Sequence, residues 1–423
     1  MFNNDNIKEI DIIEFGEFIL SIIHEYVQNN IKLMSNQKYI SIIRETVLEI
    51  INGCYGNILP YNELFDIIDK NITYYFNNVG VLRSHQTSII LKKHTELEHN
   101  KIEKQLRYLK NKPQPSQKHD DWYYFRWNLI TASSCYKALS ESQCKQNELI
   151  LSKCTPIDIN KKKRVNVQSP FHWGHKYEPL SVLFYEKLYN TVIGEFGCIK
   201  HDTEDNIGAS PDGINIKPGN PRYGRLLEIK NIVNRTIDGI PSEPYWCQMQ
   251  LQMECTNLDE CDFLETRFKE YSSEDDFNND GNFNFTKEGK TKGIIVCFYS
   301  EGKPIYKYSP FQCNKEKYIE WYDKLLEETK MTWVRNIYWW LDEHSCILVE
   351  RNKKWFTRAS IDFKRIWEII LKERKEGFEH RKPKKRKKKT KNNIIIKIRT
   401  ESFDICDTNL QKIIDANIKN AIY

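Results

Sequence analysis

The sequence predicts an α/β core with helical extensions at both ends, on three observations. Apolar residues recur at spacings of three and four before residue 110 and again after 313. Between those regions, short apolar runs such as "RLLEIKN" and "GIIVCFYS" read as strands. The runs alternate with helix-like stretches, and the order helix, hairpin, helix, strand is that of an α/β core. The chain has 423 residues, room for two or three domains, and its 40% hydrophobic content supports a sizeable interior.

Taken in order, residues 1–110 read as a helical accessory domain through "FGEFILSIIHEYV" and "ISIIRETVLEII". No set of side chains there suggests chemistry, so scaffolding or partner binding is the expected role. "NKPQPSQKHDD", 111–121, is polar with two prolines and reads as a linker. In 122–312, "PFHWGHKYEPLSVLFYEKLYN" and "YWCQMQLQMECT" read as helices around the strand-like runs. Residues 313–378 read as helical again, in "KEKYIEWYDKLLEETKMTWVRNIYWWL" and "FKRIWEIILKER". A basic run within 379–395 and a tail, 396–423, follow.

The net charge of +6 owes much to "RKPKKRKKKTK", Arg381 to Lys391, so charge alone does not make the folded part a nucleic-acid binder. That run reads as a disordered DNA-contacting arm, a nuclear-targeting signal or a solvated tail. Twelve cysteines without a CxxC pair read as reduced thiols of a soluble intracellular protein. "MFNNDNIKEI" carries no signal-peptide pattern, and no apolar run approaches the ~18 residues of a membrane span. Host cytoplasm or nucleus is the expected location.

One hairpin carries the chemistry. "INIK" and "RLLEIK" flank the turn signal "PGNPRYG". If Lys217 opposes Arg225, then Ile214 opposes Glu228 and Asp212 opposes Lys230. Side chains alternate along a strand, so Glu228 and Lys230 share a face with Asp212. Two carboxylates and an amine in one small volume suit a hard divalent cation and phosphodiester hydrolysis. The alternative is a turn-forming Asp212 and a solvated Glu228–Lys230 pair. Three nearby stretches add weight. Glu178 in "WGHKYEPL" offers a third carboxylate, or is a surface residue. Tyr245, Gln248 and Gln252 share a helix face, where amides position water or phosphate, or are simply solvated. Arg126, Thr131 and Ser133 in "RWNLITAS" suit a phosphate pocket, or a helix cap.

The order "RWNLITAS", "WGHKYEP", "GASPDG", "LEIKN", "YWCQMQLQM" resembles the YqaJ-type viral recombinases of large DNA viruses, the lambda-exonuclease branch of the PD-(D/E)XK nucleases. The resemblance covers roughly 122–312. It implies a PD-(D/E)XK restriction-endonuclease-like core, a mixed central sheet flanked by helices. It implies Mg²⁺, replaceable by Mn²⁺, held by Asp212, Glu228, Glu178 and the Ile229 carbonyl. Lys230 would position or activate water, Gln248 would support it, and Arg126, Ser133 and Ser210 would hold a terminal 5′-phosphate. Asp202 lies near where the family often has another acid. The hairpin loop is longer than in the smallest phage members, and the terminal extensions are long. Both put a ring-shaped trimer in question, so oligomeric state stays open.

His172, His175 and His201 lack zinc-ligand spacing, and no four-cysteine iron–sulfur cluster follows Lys230. The expected function is a Mg²⁺-dependent exonuclease on duplex DNA ends, serving viral recombination, repair or genome processing. Its expected partner is a single-strand annealing protein. A structure-selective endonuclease or an RNA-degrading nuclease on the same core is the alternative. From another class, a catalytically inactive DNA-binding or scaffold protein remains open.

Overall fold

The structure is a computed structural model that describes residues 12–56, 59–115, 120–158 and 166–382. Residues 116–119 of the expected linker, the basic run from 383 and the tail lie outside the described residues.

The apolar stripes of the N-terminal sequence meet in three helices, α1 (Ile12–Asn29), α2 (Tyr39–Tyr55) and α3 (Tyr61–Asn78). Ile19, Ile23, Ile43, Val47 and Ile68 are fully buried between them. Their cluster does not end there; it runs on to Trp246, Met249 and Trp355 of the central region. An extended strap follows. Within it, Arg83 is buried and donates to the carbonyls of Met34, Ser35 and Pro241 at 2.7–3.1 Å. Helix α4 (Glu96–Asn111) starts at a reciprocal capping box between Thr95 and Glu98.

Helix α5 (Asp120–Trp127) leads into β1 (Ile130–Thr131), then α6 (Cys135–Leu139), α7 (Gln143–Cys154) and α8 (Pro170–Tyr189). Short strands β2 (Ile193–Gly194), β3 (Ile199–Lys200), β4 (Ile207–Ala209) and β5 (Gly213–Asn215) precede β6 (Leu226–Asn231). Helix α9 (Glu243–Thr256) crosses over to β7 (Glu260–Glu270). After α10 (Glu274–Asn279) come β8 (Lys292–Ser300), β9 (Lys303–Tyr308), α11 (Lys315–Glu328), β10 (Thr332–Glu350) and α12 (Lys353–Glu376).

Seven strands form one sheet in the order β2-β5-β6-β7-β10-β8-β9. Only β6 and β7 run parallel within it, as a strand–helix–strand crossover through α9 requires. A second sheet, β1-β4-β3, pairs β1 and β4 in parallel. The mixed sheet flanked by helices agrees with the sequence. Leu227 and Ile229 face α8 and pack with Tyr185 and Leu264. The alternation predicted for β6 therefore holds, and its polar residues point the other way.

Two expectations need correction. Ile214 pairs with Leu226, not Glu228, and Gly213 pairs with Leu227. The register is slipped by two residues because β5 stops at Asn215 and the loop to Gly224 is wider than a tight turn. Arg222 and Arg225 turn inward from it to bind the fully buried Asp262. Gly224 makes that return at φ +84°, where a side chain is unfavourable. A slip of two keeps every side chain on its face, so the clustering survives. The second correction concerns 313–378, expected to be helical throughout. Its ends are, but its centre is β10, a 19-residue strand inside the sheet. The run "TWVRNIYWWL" is aromatic and β-branched; β8 pairs with it along one side, and β7 joins on the other from Trp339 onward. Where β8 ends, the strap takes over, with His85 N–H donating to the Leu348 carbonyl at 2.9 Å and Ser88 N–H to Cys346 at 2.9 Å.

Candidate active site

Strand β6 carries Glu228 and Lys230 toward α9. Glu228 is fully buried, which a carboxylate tolerates only when its oxygens are satisfied. Gln248 donates to Oε1 at 2.7 Å and Gln252 to Oε2 at 2.6 Å. Lys230 forms an ion pair with Oε1. The two amides sit one helical turn apart on α9, so a single helix face clamps both oxygens. That face can approach because Pro244 starts the helix and Trp246, Met249 and Met253 fix it in the core.

Asp212 ends the segment between β4 and β5. Its Oδ2 accepts the Ile229 N–H at 2.7 Å, which fixes it against β6 beside Glu228. The close fit depends on Gly213, where a Cβ would fall 2.1 Å from the Ile193 side chain. Burial, then the charge of Glu228, then that of Glu178 push the Asp212 carboxyl well above the usual range, against the pull of Lys230. Glu178 is thus within electrostatic reach, from α8. Ser181, one turn on, and Gly174 both bind Asn231 at the end of β6, at 2.8 and 3.1 Å, and this pins the helix there. Burial lowers the Lys230 amine, but Glu228 and then Asp212 more than offset it, so its pKa is raised. The ammonium lies 4.8 Å from the Tyr245 ring centroid.

A second cluster lies alongside. Because β1 and β4 are parallel, both leave their sheet at the same end, one into Ser133 and the other into Ser210. Arg126 of α5 reaches Ser133 Oγ and Ser210 Oγ, each at 3.4 Å, and stacks on Trp122 at 4.5 Å. Burial lowers its pKa, against smaller opposing effects from Cys198 and Tyr123. The clusters are joined. Ser210 offers its hydroxyl to Arg126 and its carbonyl to Gln252, at 3.2 Å, two residues before Asp212.

The structure therefore gathers Asp212, Glu228, Lys230, Gln248 and the Ile229 backbone in one place, with Glu178 in range and Arg126, Ser133 and Ser210 adjacent. Asp202 is elsewhere, paired with Lys112 and Tyr108 at 2.6 Å. Gln252 was read only as part of a polar face, yet it is a buried clamp on Glu228. Glu265 and Arg235 were missed. Glu265 is fully buried beside Lys230 in register and ion-paired to Arg235.

As a cation site the donor set is hard oxygen. Among the described residues no three of His, Cys, Asp or Glu form a ready cage. Asp212 and Glu228 offer the one or two carboxylates that an ion such as Mg²⁺ takes while keeping much of its water. The mutual repulsion of Asp212 and Glu228 is what such an ion relieves.

Residues 121–259 match the YqaJ-like viral recombinase domain. An uncharacterized protein of Acanthamoeba polyphaga mimivirus is 31% identical over 302 residues, 62% of this chain. The chain spans 54% of that relative's length. The alkaline exonuclease LHK-Exo from Laribacter hongkongensis matches over 61% of this chain and 95% of its own, at 18% identity and TM-score 0.36. A phage-related exonuclease from Haemophilus somnus matches over 58% and 96%, at 12% identity and TM-score 0.30. Among the described residues no helix is long and apolar enough to cross a membrane.

Proposed function

We propose, taking residues 121–259 as a YqaJ-like viral recombinase domain, that the chain is a divalent-metal-dependent DNA nuclease. It hydrolyses phosphodiester bonds from duplex ends and prefers a 5′-phosphate. The observation that carries this is the junction at Ser210. It ties a carboxylate–lysine cluster to a half-buried arginine that faces two hydroxyls. A terminal phosphate at Arg126 would place a nearby scissile phosphate over Asp212 and Glu228.

Asp212, Glu228, Glu178 and the Ile229 carbonyl would hold Mg²⁺, or Mn²⁺ in its place. Bound there, the ion supplies an acidified water and a positive charge against the phosphate. The residues do the rest. Gln248 and Gln252 lock the Glu228 carboxylate in one rotamer. Ile229 N–H orients Asp212. Lys230, drawn to the two carboxylates and with its pKa raised by them, is placed to position or activate the attacking water and to stabilise charge. A single-strand annealing protein would take up the strand exposed by digestion.

The test is digestion of end-labelled linear duplexes bearing 5′-phosphate or 5′-hydroxyl, with Mg²⁺ or EDTA, beside closed circles and Lys230→Ala. Faster loss of the 5′-phosphate duplex, abolished by EDTA and in the variant, is the expected result. Cutting of closed circles would favour an endonuclease, and no cleavage of any DNA would sink the proposal.

A further inference from the structure

Behind the half-buried Arg126 stand two more cations, Lys153, which is buried, and Arg374, which is half-buried. Lys153 of α7 is 9% exposed, and its Nζ donates to the Arg126 carbonyl at 2.8 Å. Arg374 of α12 donates to the Trp127 carbonyl at 2.9 Å, to Asn128 Oδ1 at 2.9 Å and to the Lys153 carbonyl at 2.8 Å. Its guanidinium lies 3.6 Å from the Trp127 ring centroid. The carbonyl end of α5 is thus closed by two positive side chains from two other helices.

Capping a short helix does not need this. A neutral amide or water would satisfy the same carbonyls without burying charge. Among the described residues these three neighbouring cations bond to hydroxyls, carbonyls and an amide rather than to a carboxylate, a site whose electrostatics an anion would complete. Glu373, the acid beside Arg374 on α12, is committed to Arg381 and faces Cys154. The groups facing Lys153 are Arg126 from α5, Arg374 from α12 and Cys198 from the turn before β3. Burial first, then Arg126 and Arg374, bring the Lys153 amine down to about 7, and Cys198 opposes them.

We propose that Lys153, braced by Arg374, is a positioning residue of the phosphate pocket: it holds the end of α5 under Arg126 and takes up a proton from solvent when a 5′-phosphate enters. This rests on the 5′-phosphate reading above. The incoming dianion favours the charged amine, and the charged amine favours the dianion, so binding and protonation are coupled. A phosphate monoester loses its second proton near pH ~6. Preference for the 5′-phosphate therefore rises through about pH 6 and falls as the free enzyme's Lys153 deprotonates above about pH 7.

The experiment measures kcat/KM on 5′-phosphate and 5′-hydroxyl duplexes from about pH 6 to about pH 9, at constant ionic strength and Mg²⁺. Wild type, Lys153→Met and Lys153→Arg are compared. Ionisations at the cleavage centre, and any loss of folded enzyme, affect both substrates and cancel in the ratio. Wild type should show a ratio that declines by up to about tenfold per pH unit on the alkaline side. Lys153→Met should lower the peak ratio about tenfold and flatten that decline; Lys153→Arg, charged throughout, should keep the ratio high in alkali. A wild-type ratio near one at every pH overturns the 5′-phosphate reading itself. A high ratio that stays flat with pH and is unchanged in Lys153→Met overturns the role of Lys153 and leaves the pocket standing. If a variant cleaves neither substrate, the wild-type profile decides.

Discussion

Asp212 is held in a state that costs stability. Its carboxyl is raised by burial and by Glu228, so its ionised form disfavours the folded chain. The sign follows: its contribution is fully present below the ordinary Asp pKa and is lost as pH rises through the elevated folded value. Asp212→Asn keeps an acceptor for the Ile229 N–H and removes the repulsion. At neutral pH it should gain about 0.5–2 kcal/mol of stability while losing cleavage, as read by thermal melts and nuclease assay. Mg²⁺ should raise the Tm of wild type and not that of the variant. Gln252→Leu removes a buried donor from Glu228 and should destabilise by about 1–3 kcal/mol, measured by urea unfolding. Much of this was legible at the residue scale: the "PD" of Pro211–Asp212 and the Glu228–Ile229–Lys230 triplet pointed to one face, and they share it. Gln252 was seen but undervalued, because periodicity shows which face a side chain takes and not whether that face is buried. Glu265 escaped because a carboxylate inside a sheet contradicts the hydropathy rule that finds strands; its pairing with Arg235, helped by the Gly239 backbone, makes it tolerable.

Among the elements, helices were read well and β10 was not. Amphipathic period is a local property, and α1, α2 and α12 express it, whereas α9 is buried on almost every side. The partners of β10 are remote. Its first half pairs with β8, its second with the strap, and the register shift between Leu341 and Glu343 divides its ladder with β7. None of those partners is visible in the nineteen residues themselves. The loop between β5 and β6 failed for a similar reason, since Arg222 and Arg225 answer to Asp262 in a strand not yet reached. The strap is anchored chiefly by Arg83, which binds three carbonyls, while its own carbonyl accepts the Trp246 indole N–H at 2.7 Å. Arg83→Leu leaves those carbonyls without their partner and should cost about 3 kcal/mol or more, visible as a lower urea midpoint with unchanged m-value.

For the molecule as a whole, residues 1–110 were read as a separate helical domain joined by a linker. The described part of that region shares one hydrophobic cluster with α9 and α12. A chain lacking residues 1–111 would uncover Trp246 and Trp355 and should be insoluble or unfold at far lower urea than the full chain. A soluble, active 112–423 fragment would instead establish an independent accessory domain. Cover over α9 also matters for the site, because α9 supplies both glutamines that clamp Glu228. The strap has a further consequence, for the order in which the protein is made. His85 and Glu350, which meet at 2.9 Å, are separated by 265 residues. At ribosomal speeds of 5–20 residues per second, the strap waits roughly 13–53 s for its β10 partner. Throughout that interval the nascent chain carries an unpaired extended segment and a half-covered helical face, so its yield is set by what shields them during translation as much as by the stability of the finished fold.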